Sequence, residues 1–171
     1  MRSLTSSIAI LAALFSTAIP AHAQLEASAE DLVRDNMNMQ KCVETVRDLN
    51  EGGGNEAKME DCIGIISTSC MKQPNGETTI GMSICLQRET NWWDGWLNGH
   101  YRQLKDIMNK DDFAQLRDMQ RKWIAFKDAK CRFEHSSWKG GTIASVTAAN
   151  CYMTTTADQA IILAGHLNKG W

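Results

Sequence analysis

Apolar side chains recur along most of this chain at intervals of three and four residues, the spacing of one face of an α-helix. The alternation of apolar and polar positions that marks a half-buried strand is almost absent. We therefore predict an all-α fold, a small bundle of about five helices. The expected helices span residues 28–49, 56–71, 77–109, 111–133 and 142–167.

Turn-forming residues separate these predicted helices. Gly52–Gly54 ends the first helix, Pro74–Gly76 forms a turn after the second, and Gly140–Gly141 lies in the loop before the last. Ser28 and Asp31 have the spacing of a capping box at the start of the first helix. These signals place the loops between helices but leave their conformations open.

The third predicted helix carries a regular apolar face. Its members recur at spacings of three and four, as expected of residues that pack into a core: Trp93, Leu97, Tyr101, Leu104 and Met108. Trp92 and Trp96 lie on the shoulder of this face, four residues apart. We expect them to form a partly exposed aromatic step, which makes them candidates for contact with a partner.

The fourth predicted helix has two polar residues on its apolar face, which comprises Phe113, Leu116, Gln120, Trp123, Ile124 and Lys127. A buried amide or ammonium is costly unless it is hydrogen-bonded or paired. Gln120 and Lys127 therefore predict a polar network, which we expect to include Asp128 together with Asp94 and Asn98 of the third helix. We favour a structural role for this network over a binding site.

The first 23 residues have the features of a signal peptide. Arg2 is followed by an apolar stretch, Ile8–Ile19, which is too short to span a membrane. Ala21–Ala23 has the pattern of a cleavage site. We expect cleavage after Ala23, no lipid anchor at this junction because no Cys follows it, and a periplasmic or secreted protein. The expected segments are the leader 1–23, a helical hairpin 24–69 and a helical domain 70–168.

Six cysteines remain after that cleavage, an even number that in an exported protein suggests disulfides. Six cysteines allow about 15 connectivities. Each pair of neighbours along the chain flanks a predicted turn or loop, so geometry favours Cys42–Cys62, Cys70–Cys85 and Cys131–Cys151. No C-x-x-C spacing is present, so the sequence supports neither a thioredoxin-like motif nor a zinc ribbon.

Charge and motif content narrow the possible functions. Without the leader, the chain has 17 Lys and Arg against 20 Asp and Glu, which argues against a nucleic-acid binder. His100, His135 and His166 are scattered without metal-ligand spacing, and we expect them at the surface. No nucleophile elbow, H-E-x-x-H or P-loop occurs. We predict no catalytic residue, metal or cofactor, and a protein that acts by binding.

The segment from Cys70 to about Leu167 contains spaced motifs that together resemble a known family. They are Cys70 with Thr78-Thr79-x-x-Met82-x-x-Cys85, Asp94-x-x-Leu97-Asn98-x-x-Tyr101-x-x-Leu104, Leu116-Arg117-x-x-Gln120-Arg121-x-Trp123-x-x-Phe126-Lys127-Asp128-x-x-Cys131, and Gly140-Gly141-Thr142 followed by Cys151 and Thr156. The segment is similar to the lysozyme-inhibitor LprI N-terminal-like family, which implies a helical, exported protein. The family usually has Arg where Lys127 and Gln159 stand.

The resemblance implies a protein partner, with lysozyme as the leading expectation. Lysozyme cleaves glycans with two carboxyl groups in a cleft. The loop 134–142 offers hydroxyls, an aromatic ring and a cation for such a cleft, in Ser136, Ser137, Trp138 and Lys139. The ordinary alternative is a connecting loop without a partner.

Two other binding functions remain open. The protein could bind a cell-wall glycan through exposed rings among Trp92, Trp96, Trp138 and Trp171. It could also be an assembly or immunity-type protein that uses the hairpin 25–69 to contact another exported protein.

Overall fold

A computed structural model of the protein describes residues 27–51 and 57–167. The predicted leader, the Gly52–Gly54 break and Trp171 lie outside these residues. Within them the chain is helical, with a short 3-10 helix at Met59–Cys62. The α-helices are α1 (Ala29–Glu51), α2 (Ile65–Met71), α3 (Thr79–Ile107), α4 (Lys110–Ser137) and α5 (Ile143–Leu167). The predicted all-α fold is confirmed.

The core lies where α3 and α5 pack along each other. Trp93 and Leu104 of α3 are fully buried there, as are the small residues Ala157 and Ala160 of α5, which leave room for the large side chains opposite. α4 packs extensively only against α5 among the described helices, and α2 packs on α3. α4 therefore forms one edge of the bundle.

All six cysteines pair with their sequence neighbours, as the spacing predicted. Cys42–Cys62 joins α1 to the 3-10 helix, and Cys70–Cys85 joins α2 to α3. Cys131–Cys151 joins α4 to α5. The Cα–Cα distances of 5.9, 5.5 and 5.5 Å lie in the normal range for disulfides. Each disulfide thus fastens two consecutive helical elements.

The second predicted helix is wrong as a single element. The chain leaves the 3-10 helix at Ile63, which is extended, and Gly64 adopts φ +99° before α2 begins. Only glycine enters that left-handed region at no steric cost, so Gly64 allows the change of direction. At the start of α1 the predicted capping box is present, because the Asp31 amide donates to the Ser28 hydroxyl and the Ser28 amide donates to the Asp31 carboxylate.

The apolar face of α3 is buried as predicted, with Trp93, Leu97 and Leu104 inside and Tyr101 and Met108 at its margins. The face of α4 is less buried than its sequence predicted. Leu116 and Gln120 are buried, Phe113, Trp123 and Lys127 are half-buried, and Ile124 is 50% exposed. Because α4 packs extensively on one helix only, its buried stripe is narrow.

None of the described helices is long and apolar enough to cross a membrane.

Candidate functional site

The connection between α4 and α5 is shorter than the predicted loop 134–142. Residues 134–137 form the last turn of α4, so the turn proper covers residues 138–142. The Ser136 and Ser137 hydroxyls donate to the carbonyl oxygens of Phe133 and Glu134. These two hydroxyls are therefore already engaged within the helix, while Trp138 and Lys139 lie in the turn itself.

Backbone hydrogen bonds hold the turn in a tight form. The Lys139 amide donates to the Ser136 carbonyl, and the Gly141 amide donates to the Trp138 carbonyl. Lys139 adopts φ +48° and Gly140 φ +82°. A left-handed conformation at a residue other than glycine costs about 1–2 kcal/mol, so the surrounding structure must hold Lys139 in place.

The turn presents an aromatic ring and a cation at one end of the bundle. Trp138 is 47% exposed and Lys139 is exposed. The Cys131–Cys151 disulfide is buried and ties together the two helices that flank the turn. We call Trp138, Lys139, Gly140, Gly141 and Thr142 the braced turn.

The predicted polar network is divided in the structure. Gln120 and Gln159 are both buried, and Gln159 Nε2 donates to Gln120 Oε1 over 3.0 Å. Lys127 Nζ lies 4.6 Å from the centre of the Trp123 ring, a cation–π distance. Within the described residues, the half-buried Asp128 makes no hydrogen bond to Lys127, Gln120 or Gln159.

The α3 members of the predicted network lie elsewhere. Asp94 and Asn98 are exposed, and Asn98 Nδ2 donates to Asp94 Oδ2 over 2.9 Å. They do not join Gln120, because α5 and not α3 is the helix that covers the buried stripe of α4. Tyr101 contacts Phe113 instead, with ring centres 5.6 Å apart.

Trp92 and Trp96 form the predicted aromatic step. Both are half-buried, and their rings stack with centres 5.9 Å apart and planes 22° apart. Trp92 Nε1 donates to the Asn36 amide oxygen of α1 over 3.2 Å. The two rings line a cleft of about 620 Å³ between α1 and α3, together with side-chain amides of both helices.

Glu89 is a buried residue that the sequence analysis missed. It is fully buried, and its carboxyl group accepts hydrogen bonds from the Gly64 amide (2.6 Å), the Ser67 amide (2.8 Å) and Trp93 Nε1 (3.0 Å). Two of these donors are free amides at the start of α2, where a helix lacks internal partners. Glu89 therefore fastens α2 to α3. Glu89 lies three residues after Leu86 and four before Trp93, and this helical spacing was the signal in the sequence that could have predicted its burial.

An ion pair also missed by the sequence analysis links α1 to α3. Arg88 Nε donates to Asp35 Oδ2, and both side chains are about nine-tenths buried. Asp31 lies 3.7 Å from the same guanidinium. The hydrogen bonds from Ser28 are the main reason why the pKa of Asp31 is lowered to about 2. The pair lines a mainly apolar cleft of about 800 Å³.

His100 is buried and was wrongly expected at the surface. Its Nδ1 donates to the Trp96 carbonyl over 2.8 Å, and its ring meets the Trp96 ring edge-on at 4.2 Å. Burial lowers the pKa of His100, and the positive charge of Arg47 adds to this effect. The described residues contain no group of three or more His, Cys, Asp or Glu suited to hold a metal ion.

A comparison with protein families finds a match to the model described as "Lysozyme inhibitor LprI" over residues 70–163, more than half of the chain. No similar protein was found among curated sequences, and no similar chain among solved structures. The matched segment begins at Cys70 and includes α3, α4 and most of α5. The chain therefore belongs to the lysozyme inhibitor LprI family.

Proposed function

We propose that this protein is an exported inhibitor that binds lysozyme and blocks its glycan cleft with the braced turn. The observation that carries the proposal is the exposed Lys139 beside Trp138, held in a left-handed conformation on a turn whose two flanking helices are joined by a buried disulfide. A stiff binding segment loses little conformational freedom on association, which favours affinity. Family membership supports lysozyme as the partner.

The proposed chemistry is electrostatic. A lysozyme cleft holds two carboxyl groups that flank the scissile bond. The Lys139 ammonium would lie against these carboxyl groups, and the Trp138 ring would fill an adjoining sugar subsite. The protein would act by occupying the cleft, and it would need no catalytic group of its own.

The test is titration of the protein into several lysozymes while cell-wall lysis is followed. Lys139→Glu should abolish inhibition, because a carboxylate facing two carboxyl groups in a poorly solvated cleft costs several kcal/mol, about a hundredfold or more in affinity. Lys110→Glu is the matched control, since Lys110 is an exposed lysine at the opposite end of α4. It should inhibit like the unmodified protein. Equal inhibition by Lys139→Glu would exclude the braced turn.

Export is part of the proposal. The disulfides support an oxidising compartment. The intact mass of the exported protein should correspond to a chain that begins at Gln24. Because of the three disulfides, this mass should be about six daltons below that of the fully reduced chain. A retained leader would contradict the proposed processing.

Glycan binding is the second candidate, favoured by the stacked Trp92 and Trp96 rings in the cleft between α1 and α3. Flat aromatic rings and amide side chains suit the faces and hydroxyls of sugars. Peptidoglycan fragments titrated without lysozyme should then perturb tryptophan fluorescence, and Trp96→Ala should remove the response. Under the leading proposal, Trp92→Ala and Trp96→Ala should leave lysozyme inhibition nearly intact.

A further inference from the structure

The charges of this protein are segregated. Residues 117–139 contain seven Lys and Arg against three Asp and Glu, a net charge of +4, although the whole chain has a net charge of −2. α1, in contrast, carries six acidic and three basic residues. The basic segment covers most of α4 and the first two residues of the braced turn.

Two aromatic rings lie on the same basic helix and face solvent. Phe126 is 58% exposed and Phe133 is 70% exposed. With Lys122 and Ala129, they follow the spacing of four, three and four that places residues on one stripe of a helix. We define the α4 outer face as this stripe and the exposed residues beside it: Arg121, Lys122, Ala125, Phe126, Ala129, Arg132 and Phe133.

Neither packing in the core nor the predicted polar network explains these residues. α4 packs extensively only against α5, so the outer face lies at the edge of the bundle. Asp118 pairs with Lys122 over 2.7 Å in an exposed (i, i+4) salt bridge. Exposed pairs of this kind are weak, so Lys122 remains available to an outside anion.

We propose that the α4 outer face docks the protein on an anionic phospholipid bilayer. Positive charge flanking exposed aromatic rings is the composition of a helix that lies in a membrane interface. The arginines would contact lipid phosphates while Phe126 and Phe133 enter the headgroup region. A single helix at the edge of a bundle forms a convex ridge, which can lie against a flat bilayer. A bound peptide would instead require a concave groove. The contact is peripheral and independent of the proposed lysozyme site.

The experiment is co-sedimentation of the exported protein with vesicles made of equal parts phosphatidylglycerol and phosphatidylcholine, and with vesicles of phosphatidylcholine alone. Binding is expected to the anionic vesicles only and should weaken as salt is raised. Phe126→Ser with Phe133→Ser should lower the partition coefficient by roughly tenfold or more. Arg121→Glu with Arg132→Glu should lower it at least as far.

Matched variants separate this face from general effects. Val33→Ser with Met37→Ser removes two apolar side chains that are 61% and 63% exposed on the acidic α1. Arg102→Glu with Lys105→Glu changes the net charge by the same amount on exposed positions of α3. Both controls should bind like the unmodified protein, and unchanged helicity should show that each variant folds.

Several results would overturn the proposal. They are absence of binding to anionic vesicles, equal binding to neutral vesicles, an equal loss in the control variants, and retained binding when the outer face is changed. Because the phenylalanine and arginine pairs are separate variants, each still tests the face if the other fails to fold. Lys139 is intact in all of them, so lysozyme inhibition and lipid binding are measured independently.

Discussion

Gln159 of α5 donates a hydrogen bond to Gln120 of α4 across the buried contact between these two helices. Each amide lies where an apolar residue would otherwise pack. The hydrogen bond between them gives the buried donor of Gln159 and the buried acceptor of Gln120 a partner. Gln159 Nε2 also lies 4.0 Å from Met119 Sδ. The pair constrains how α4 is positioned on α5.

Gln120→Leu should lower the free energy of unfolding by about 1–3 kcal/mol, because it leaves the Gln159 amide buried without its acceptor. Thermal or denaturant unfolding would measure the change, with helicity expected to be retained. The double variant Gln120→Leu with Gln159→Leu should recover much of the loss, since both polar groups are then removed. Additive losses in the double variant would show that the two amides do not depend on each other.

Glu89→Gln should destabilise the protein by about 1–3 kcal/mol, the cost of one disrupted buried hydrogen bond. The substituted amide can keep its oxygen toward the Gly64 amide and Trp93 Nε1, but its NH₂ group then faces the N–H donor of Ser67. Asp94→Asn is the control on the same helix, where the carboxylate is exposed, and it should change stability by less than about 0.5 kcal/mol. Equal stability of the two variants would mean that Glu89 does not fasten α2 to α3.

Stability should fall as the pH is lowered from 7 through the ordinary range of histidine. Burial lowers the pKa of His100 in the folded protein, so the unfolded chain binds a proton first as the pH falls below about 6.5. The contribution of His100 is therefore complete above that pH and is lost progressively below it. His100→Gln should flatten the dependence of the unfolding free energy on pH in this window. An unchanged slope would assign the effect to another group.

The Cys131–Cys151 disulfide should matter for inhibition as well as for stability. Replacing both cysteines with alanine should cost roughly 2–4 kcal/mol in unfolding free energy. It should also weaken lysozyme inhibition, because the braced turn would lose the link between its flanking helices. Replacing Cys42 and Cys62, far from the turn, is the control, and it should lower stability while sparing inhibition measured below the unfolding temperature. If both replacements weakened inhibition equally, the Cys131–Cys151 disulfide would have no specific role at the proposed site.

The helices and disulfides could be predicted from this sequence because they depend on local signals. Apolar spacing located α3 and α5, and the turn residues between paired cysteines favoured neighbour pairing. The second helix was wrong because Gly64, which lies inside the predicted span 56–71, adopts a left-handed conformation that interrupts it. The end of α4 was placed too early because the polar residues 134–137 have no apolar period to mark them as helical.

The site was harder to predict because it depends on which helices meet. Gln120 was correctly identified as a polar residue on a buried stripe, but its partner was sought on α3 and lies on α5. Glu89 could have been found by the same argument, since it occupies a core position between Leu86 and Trp93. The Arg88–Asp35 pair could not, because it joins α1 to α3 across 53 residues without a shared pattern.

The most direct test of the proposed function is the mode of inhibition. Initial rates of a lysozyme that the protein inhibits should be measured at several concentrations of a soluble chitin oligosaccharide substrate. If the braced turn occupies the glycan cleft, the apparent inhibition constant should rise linearly with substrate concentration, with kcat unchanged. Inhibition that lowers kcat and is insensitive to substrate concentration would contradict binding in the cleft.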